Sequence, residues 1–453
     1  MCEGGRGAFV PVRVPSFSCS QQVHSYVYFT PACPSHYRVY SAPGKAMWCC
    51  VGTGMENHGK YGQFIYTHDT ADNALYVNLF IPSELNWKEK KIKIVQETDF
   101  PNEEGTTLTV NPSKATQFKL LIRYPSWVEQ GKMQVVCNGV DYAKSAQPGS
   151  YIAIDRQWSK GDVVEVKTPM TVRIEELPNV PNAISIMRGP ILLGARTGTE
   201  NMPGLIAGDG RWEHIAHGSL VSLFDAPYII GERSDILNKL NSMRPVEGKS
   251  FSFTVPGLFT QEKYKNLILE PFYGIHDSRY MMYWLSMSEP TFREYKQTVE
   301  AEEHGRMILD KRTVDMVSSG EQQPESDHAM KTQDSHRGVH AGEAWRDARN
   351  GGYFEYTLTT KGNENLSLMV RYWGAESGSR SFDILVDGQT IATENIVGKW
   401  KKDLFCNVEY NIPAILLKSK DKITVRFQSK PDTTAGGIFA VRLLVPESMV
   451  MDK

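Results

Sequence analysis

Leu75-Tyr76-Val77-Asn78-Leu79-Phe80-Ile81, closed by Pro82-Ser83, marks where the hydrophobic period of the chain changes from helical to alternating. Alternation places successive side chains on opposite faces of an extended strand. The pattern returns at residues 91–95, 118–124, 134–137, 151–154, 162–166 and 172–175. Turn chemistry separates the runs at Asn138-Gly139, Pro148-Gly149 and Lys160-Gly161-Asp162. Many short strands at this spacing predict an antiparallel β-sandwich. Arg188-Gly189-Pro190-Ile191-Leu192-Leu193-Gly194 is expected to close it.

Outward toward the C-terminus, residues 195–250 read as an irregular insert containing a short helix at 235–241. Strand patterns follow at 251–255, 266–270 and 280–285, and a charged helix at 290–303 ends a unit spanning 71–304. Residues 305–342 are polar and poor in apolar side chains, which predicts a linker. His328, His336 and His340 lie there, at a spacing that matches no standard metal site. A second β-sandwich is expected over 343–449, with Asp387-Gly388 between alternating runs as a hairpin signal.

Composition bounds the function. Charge is balanced, with 50 Lys+Arg against 52 Asp+Glu, and this argues against a nucleic-acid partner. Seven cysteines scattered over 453 residues are too few for a disulfide scaffold. Cys137 and Cys406 fall in strand-like runs and read as buried thiols. No apolar run reaches membrane-span length, and the first residues show no secretory pattern.

Upstream of the strands, Met47-Trp48-Cys49-Cys50-Val51-Gly52-Thr53-Gly54-Met55-Glu56-Asn57-His58 joins soft metal ligands to a helix start. Thr53 and Glu56 have capping-box spacing, so a helix is expected from Gly54 to about His68. One of its faces carries Gly54, His58, Tyr61, Gly62 and Ile65, small and polar enough for a ligand to approach. A thiolate is both a nucleophile and a zinc ligand, and a helix N-terminus favours it. A cysteine pair can equally be a pair of small buried apolar residues.

Three stretches decide between these. Tyr26-Val27-Tyr28-Phe29-Thr30-Pro31, then His36-Tyr37-Arg38-Val39-Tyr40-Ser41, then Trp48-Cys49-Cys50-Val51-Gly52-Thr53-Gly54-Met55-Glu56-Asn57-His58 together resemble the zinc-dependent β-L-arabinofuranosidases of glycoside hydrolase families 127 and 146. The likeness is nearer to family 146 and continues through most of the remaining chain. It implies a retaining enzyme acting on arabinose-containing plant glycans. Cys49 would be the nucleophile bound to zinc, and Cys50 a second zinc ligand. Glu56, Asn57 and His58 would line the sugar site. Relatives of this kind are exported, periplasmic or secreted enzymes.

The family's other zinc ligands and its acid/base glutamate lie upstream, in a helical (α/α)6 barrel. Here 48 residues precede Cys49, and Glu3 is the only carboxylate side chain ahead of Glu56. The expectation is therefore a C-terminal part of such an enzyme, mainly β and inactive alone. Residues 1–70 would be a remnant of the barrel, followed by two jelly-roll-like sandwiches. The alternative is a non-catalytic carbohydrate-binding or structural pair of β modules. The 343–449 pattern is similar to jelly-roll carbohydrate-binding modules. Trp345, Tyr372, Trp373 and Trp400 would either offer a sugar platform or fill the core and its rim.

Overall fold

The computed structural model describes residues 12–13, 27–28, 30–42, 44–45, 48–143, 145–210 and 213–451. The side chains of Cys49, Cys50 and His58 lie outside what it describes. The chain divides into two compact units at Thr298/Val299. Among the described residues, no helix is long and apolar enough to cross a membrane.

In the first unit, the predicted alternation builds a sandwich. One sheet runs in the order Val12–Arg13, Ser83–Trp87, Ile92–Glu97, Gly105–Pro112, Asp162–Lys167, Gln134–Cys137 and Val140–Asp141. Tyr151–Trp158, Thr116–Arg123, Ala74–Val77 and Tyr66–Asp69 form the other. Inward residues of both sheets, including Ile94, Val110, Leu120, Ile154 and Trp158, share one core. Trp158 stacks on Phe118 at 5.3 Å, and its indole N–H donates to the Phe118 carbonyl at 3.0 Å. The sandwich is not wholly antiparallel: Ala74–Val77 runs parallel to Thr116–Arg123.

A second core follows in the same unit. Val180–Arg188 and Ile191–Gly198 form a hairpin joined at Arg188 and Ile191. Rather than closing the first sandwich, this hairpin organises a separate nine-stranded sheet. Its inward residues Ile184, Ile186 and Leu193 pack with Trp284 and with Ile236 and Leu240 of a helix at Arg233–Asn241.

In the second unit, Glu343–Thr359 is the central strand, flanked by Lys422–Ser429 and Thr434–Leu444. The predicted hairpin is present: Asp387 and Gly388 have φ of 47° and 80°, and Val386 pairs with Gln389. Positive φ at both turn residues is the requirement of a type I′ turn.

The expected linker at 305–342 is not one. A helix spans Glu289–Arg312, Thr313–Ser318 pairs with Thr434–Leu444, and Lys331–His340 pairs with Glu343–Thr359. Between those strands, a short helix at Gln322–Asp327 buries Glu325 against Arg346. The polar composition reflects strands with an outward face and one buried ion pair. The three histidines there go separate ways. His328 meets Asp315, His336 meets Asp347, and His340 meets Trp373.

Candidate functional site

The helix carrying the cysteine pair, α1, spans Cys49–Phe64 and so begins earlier than the Thr53 capping box predicts. Trp48 is its N-cap, with extended backbone and no side-chain cap hydrogen bond. Thr53 falls inside the helix. The early start has a packing cause. Trp48 meets His214 at 4.6 Å and Tyr28 at 5.6 Å, both edge-on. His214 in turn meets Tyr28 at 4.6 Å. This aromatic cluster fixes the residue immediately before Cys49, and the helix propagates from it. Cys49 and Cys50 are thereby the first two helical residues, where the helix dipole favours negative charge. At the other end, Ile65 and Tyr66 turn into the sandwich core, which stops the helix before His68.

The stretch leading to Trp48 is pinned by long-range polar contacts. Tyr37 is fully buried, and its hydroxyl donates to the Pro203 carbonyl at 2.6 Å. It accepts from the backbone N–H groups of His217 and Gly218 at 3.1 and 2.9 Å. Tyr40–Ser41 pairs in parallel with Ile206–Ala207. Arg38 lies 4.2 Å above the Phe272 ring and donates to the Phe272 carbonyl at 2.7 Å. Arg279, also buried, donates to the carbonyls of Ser35, Glu200 and Asn201, each at 2.7 Å. The irregular insert at 199–218 is therefore the clamp that holds the approach to α1.

Tyr40 and His276 meet on this surface, with hydroxyl to Nδ1 at 3.1 Å. Burial pushes the Tyr40 hydroxyl pKa up. Burial and then the Arg38 guanidinium hold His276 below its ordinary value. In sequence, Pro271–Asp277 reads as a polar turn. The 236 residues separating Tyr40 from His276 conceal their partnership. The Trp48–His214–Tyr28 cluster was equally hidden, because His214 lies in a segment without period.

Glu56 and Asn57 are on the exposed side of α1. Of the four aromatics expected as a sugar platform, Tyr372 is a core residue and Trp400 is partly buried against it. Tyr372 is fully buried, with its hydroxyl 2.9 Å from that of Tyr410, and Trp400 stacks on Tyr372 at 5.7 Å against the same core. Tyr372 sits there as an inward-facing residue of the strand Ser367–Trp373, and Trp400 packs onto it from outside the strands. Trp345 and Trp373 remain partly exposed.

Residues 74–170 match the family model for the middle domain of the GH127 β-L-arabinofuranosidases. The chain carries a GH127 middle domain. This middle domain is the first sandwich described above, and it begins just after α1. Beyond it, residues 173–286 match a domain of unknown function (DUF4986), and residues 308–444 match a family of unknown function (DUF6805). Among solved structures, the chain is similar to a GH127 β-L-arabinofuranosidase from Geobacillus stearothermophilus T6, at 20% identity. That likeness covers 55% of this chain and 39% of that one, with a TM-score of 0.37. A GH127 β-arabinofuranosidase is similar at 20% identity over 58% of this chain and 43% of that one, with a TM-score of 0.39. A family 35 carbohydrate-binding module from Clostridium thermocellum is similar at 14% identity over 29% of this chain and 98% of that one, with a TM-score of 0.22. The chain spans less than half the length of the two GH127 structures. No curated protein matches it.

Opposite pH dependences are expected in the two units. His36 is buried, and that burial, then Arg279, lowers its pKa from 6.5 against an opposing backbone hydrogen bond with Ala216. Unfolding lets it bind a proton more readily. The first unit should therefore lose stability as pH falls below 6.5 toward the lower folded value. In the second unit, burial opposes the charge of His328, but the Asp315 carboxylate and the Pro324 carbonyl outweigh it and raise its pKa above 6.5. Its contribution is complete below 6.5 and is lost as pH rises through the folded value. Hydrogen exchange of the slowest amides in each unit, followed from about pH 5 to about pH 8, separates the two trends. Parallel trends in both units would contradict these assignments.

Proposed function

We propose that the chain belongs to a retaining β-L-arabinofuranosidase of the family 127/146 type, acting on arabinose-containing plant glycans. One observation carries this. The GH127 middle domain stands directly behind a helix whose first residues are Cys49 and Cys50, and an aromatic cluster fixes the start of that helix. The Cys49 thiolate attacks the anomeric carbon, so that a C–S bond forms as the glycosidic C–O bond breaks, and the leaving oxygen takes a proton from the acid/base glutamate that relatives carry in the upstream barrel, which later accepts the proton of the attacking water. Water then displaces the thiolate from the opposite side. Two inversions give net retention. Glu56, Asn57 and His58 contact the sugar from α1.

The donor chemistry of Cys49 and Cys50 fits zinc, since two adjacent thiols are soft ligands. When bound, the ion would keep both thiols deprotonated. The start of α1 acts in the same direction through its dipole. The aromatic clamp at Trp48 does the positioning, because it sets where the first helical turn begins.

The anomeric configuration of the first-formed product, followed by NMR on an aryl β-L-arabinofuranoside with the chain joined to an upstream barrel that supplies the acid/base group, tests the proposal. Retention is expected, with a glycosylated Cys49 peptide recoverable by mass spectrometry. An inverted product, or label on another residue, would contradict it. The alternative is a non-catalytic glycan-binding chain. It is favoured by the partly exposed aromatic cluster around Trp373 in the second unit.

A further inference from the structure

Two loops and a hairpin of the second unit converge on one surface. Trp373, at the end of its strand, meets the exposed His340 edge-on at 4.6 Å and Phe405 at 5.2 Å. Across the hairpin, Gly338 is in register with Trp345. A Cβ at Gly338 would sit 2.5 Å from the indole, so the glycine is what lets Trp345 lie flat over the strand. The loop after Trp373 is tied back by the Gly374 N–H donating to the Leu404 carbonyl at 2.9 Å. Leu404 itself is 65% exposed.

Glu376 lies in the same loop. Its Oε2 meets the Arg380 Nε at 2.7 Å, and 11% of its side chain stays exposed. A carboxylate offers about four acceptor positions, more than the Arg380 contact fills. A Cβ on Gly437 would lie 3.5 Å from Glu376 Oε1 and 3.5 Å from the Trp345 Cβ, which places the carboxylate beside Trp345.

Charge selects the ligand. Arg380 is committed to Glu376 and to the Gly436 carbonyl at 2.6 Å. Arg371 is committed to Glu343 through two contacts at 2.7 and 2.9 Å. Both nearby guanidinium groups are thus already paired, while Glu376 would repel an acidic sugar. Aromatic faces take the C–H side of a sugar ring, and a carboxylate accepts from its hydroxyls.

We propose that this surface binds a neutral arabinose-bearing glycan, with Trp373 as the stacking face and Glu376 as the hydroxyl acceptor. The choice of arabinose rests on the proposed function; the site itself rests on the cluster. It gives the enzyme a hold on polymeric substrate that does not involve Cys49.

The test is equilibrium binding of the full chain to soluble branched arabinan, read by titration calorimetry, with polygalacturonate as the acidic comparison. Arabinan should bind and polygalacturonate should not. Trp373→Ala should weaken arabinan binding about ten-fold or more, and Glu376→Gln by a similar factor. Trp373→Phe, which keeps an aromatic face, should stay within about three-fold of the parent chain. Melting midpoints of each variant identify any that fail to fold, and Trp373→Phe then decides. No arabinan binding by the parent chain, preference for polygalacturonate, or undiminished binding by Trp373→Ala would overturn the proposal. A Cys49→Ser, Cys50→Ser chain should bind arabinan normally. In the chain joined to an upstream barrel, loss of turnover with intact binding therefore speaks to the catalytic proposal alone, and loss of binding with intact turnover to this one.

Discussion

Replacing Arg346 with alanine should destabilise the second unit by about 3–5 kcal/mol, the cost of leaving a buried charge without its partner. Glu325 is 1% exposed, and its two carboxylate oxygens meet the Arg346 guanidinium at 2.5 and 2.6 Å. The Gly320 N–H and the Tyr356 hydroxyl donate to the same carboxylate at 2.7 and 2.8 Å. Burial opposes the charge on Glu325, yet these partners hold its carboxyl below the usual range. With Arg346 gone, the desolvation cost remains and its main compensation does not. Set against a total stability of about 5–15 kcal/mol, such a loss unfolds a large fraction of molecules on modest heating. Denaturant titration of the second unit measures it. An Arg346→Met, Glu325→Leu double replacement should recover only part of the loss, because apolar groups replace the ion pair but leave the Gly320 N–H and the Tyr356 hydroxyl without their acceptor. A loss under about 1 kcal/mol in Arg346→Ala would mean that the pair is solvated and the short helix at Gln322–Asp327 only loosely held.

In a longer chain that also supplies the upstream barrel, Cys49→Ser should lower turnover of an aryl β-L-arabinofuranoside by a factor on the order of 10^4–10^6, the scale seen when a covalent nucleophile is removed. The hydroxyl is far less acidic than a thiol, so neither the dipole at the start of α1 nor a bound metal ion would restore a comparable nucleophile. Turnover surviving within about ten-fold would assign the attacking group elsewhere.

Strand after strand of the first sandwich was legible, because Leu120, Ile122, Ile152, Ile154, Val164 and Val166 alternate with polar neighbours and all face one core. Gly105–Pro112 escaped notice: it alternates too, but threonine holds one of the inward positions, so the apolar signal is thin. The polar run at 318–327 read as a linker because composition cannot show that Glu325 will find Arg346, 21 residues on. Thr53 and Glu56 imitate a capping box, while the true helix start is set by Trp48 packing against a histidine 166 residues away in sequence. The cysteine pair itself was plain in the sequence. What positions it, the Tyr37 and Arg279 clamps and the Tyr40–His276 contact, is made of single residues brought together from distant segments, and no local pattern encodes that.

Zinc stoichiometry is to be measured on the purified chain, beside a Cys49→Ser, Cys50→Ser double variant. Zinc should bind the parent through the two thiols and be lost in the double variant, while neither chain turns over the glycoside without the upstream barrel. Zinc absent from the parent, or retained undiminished without the two thiols, would contradict it.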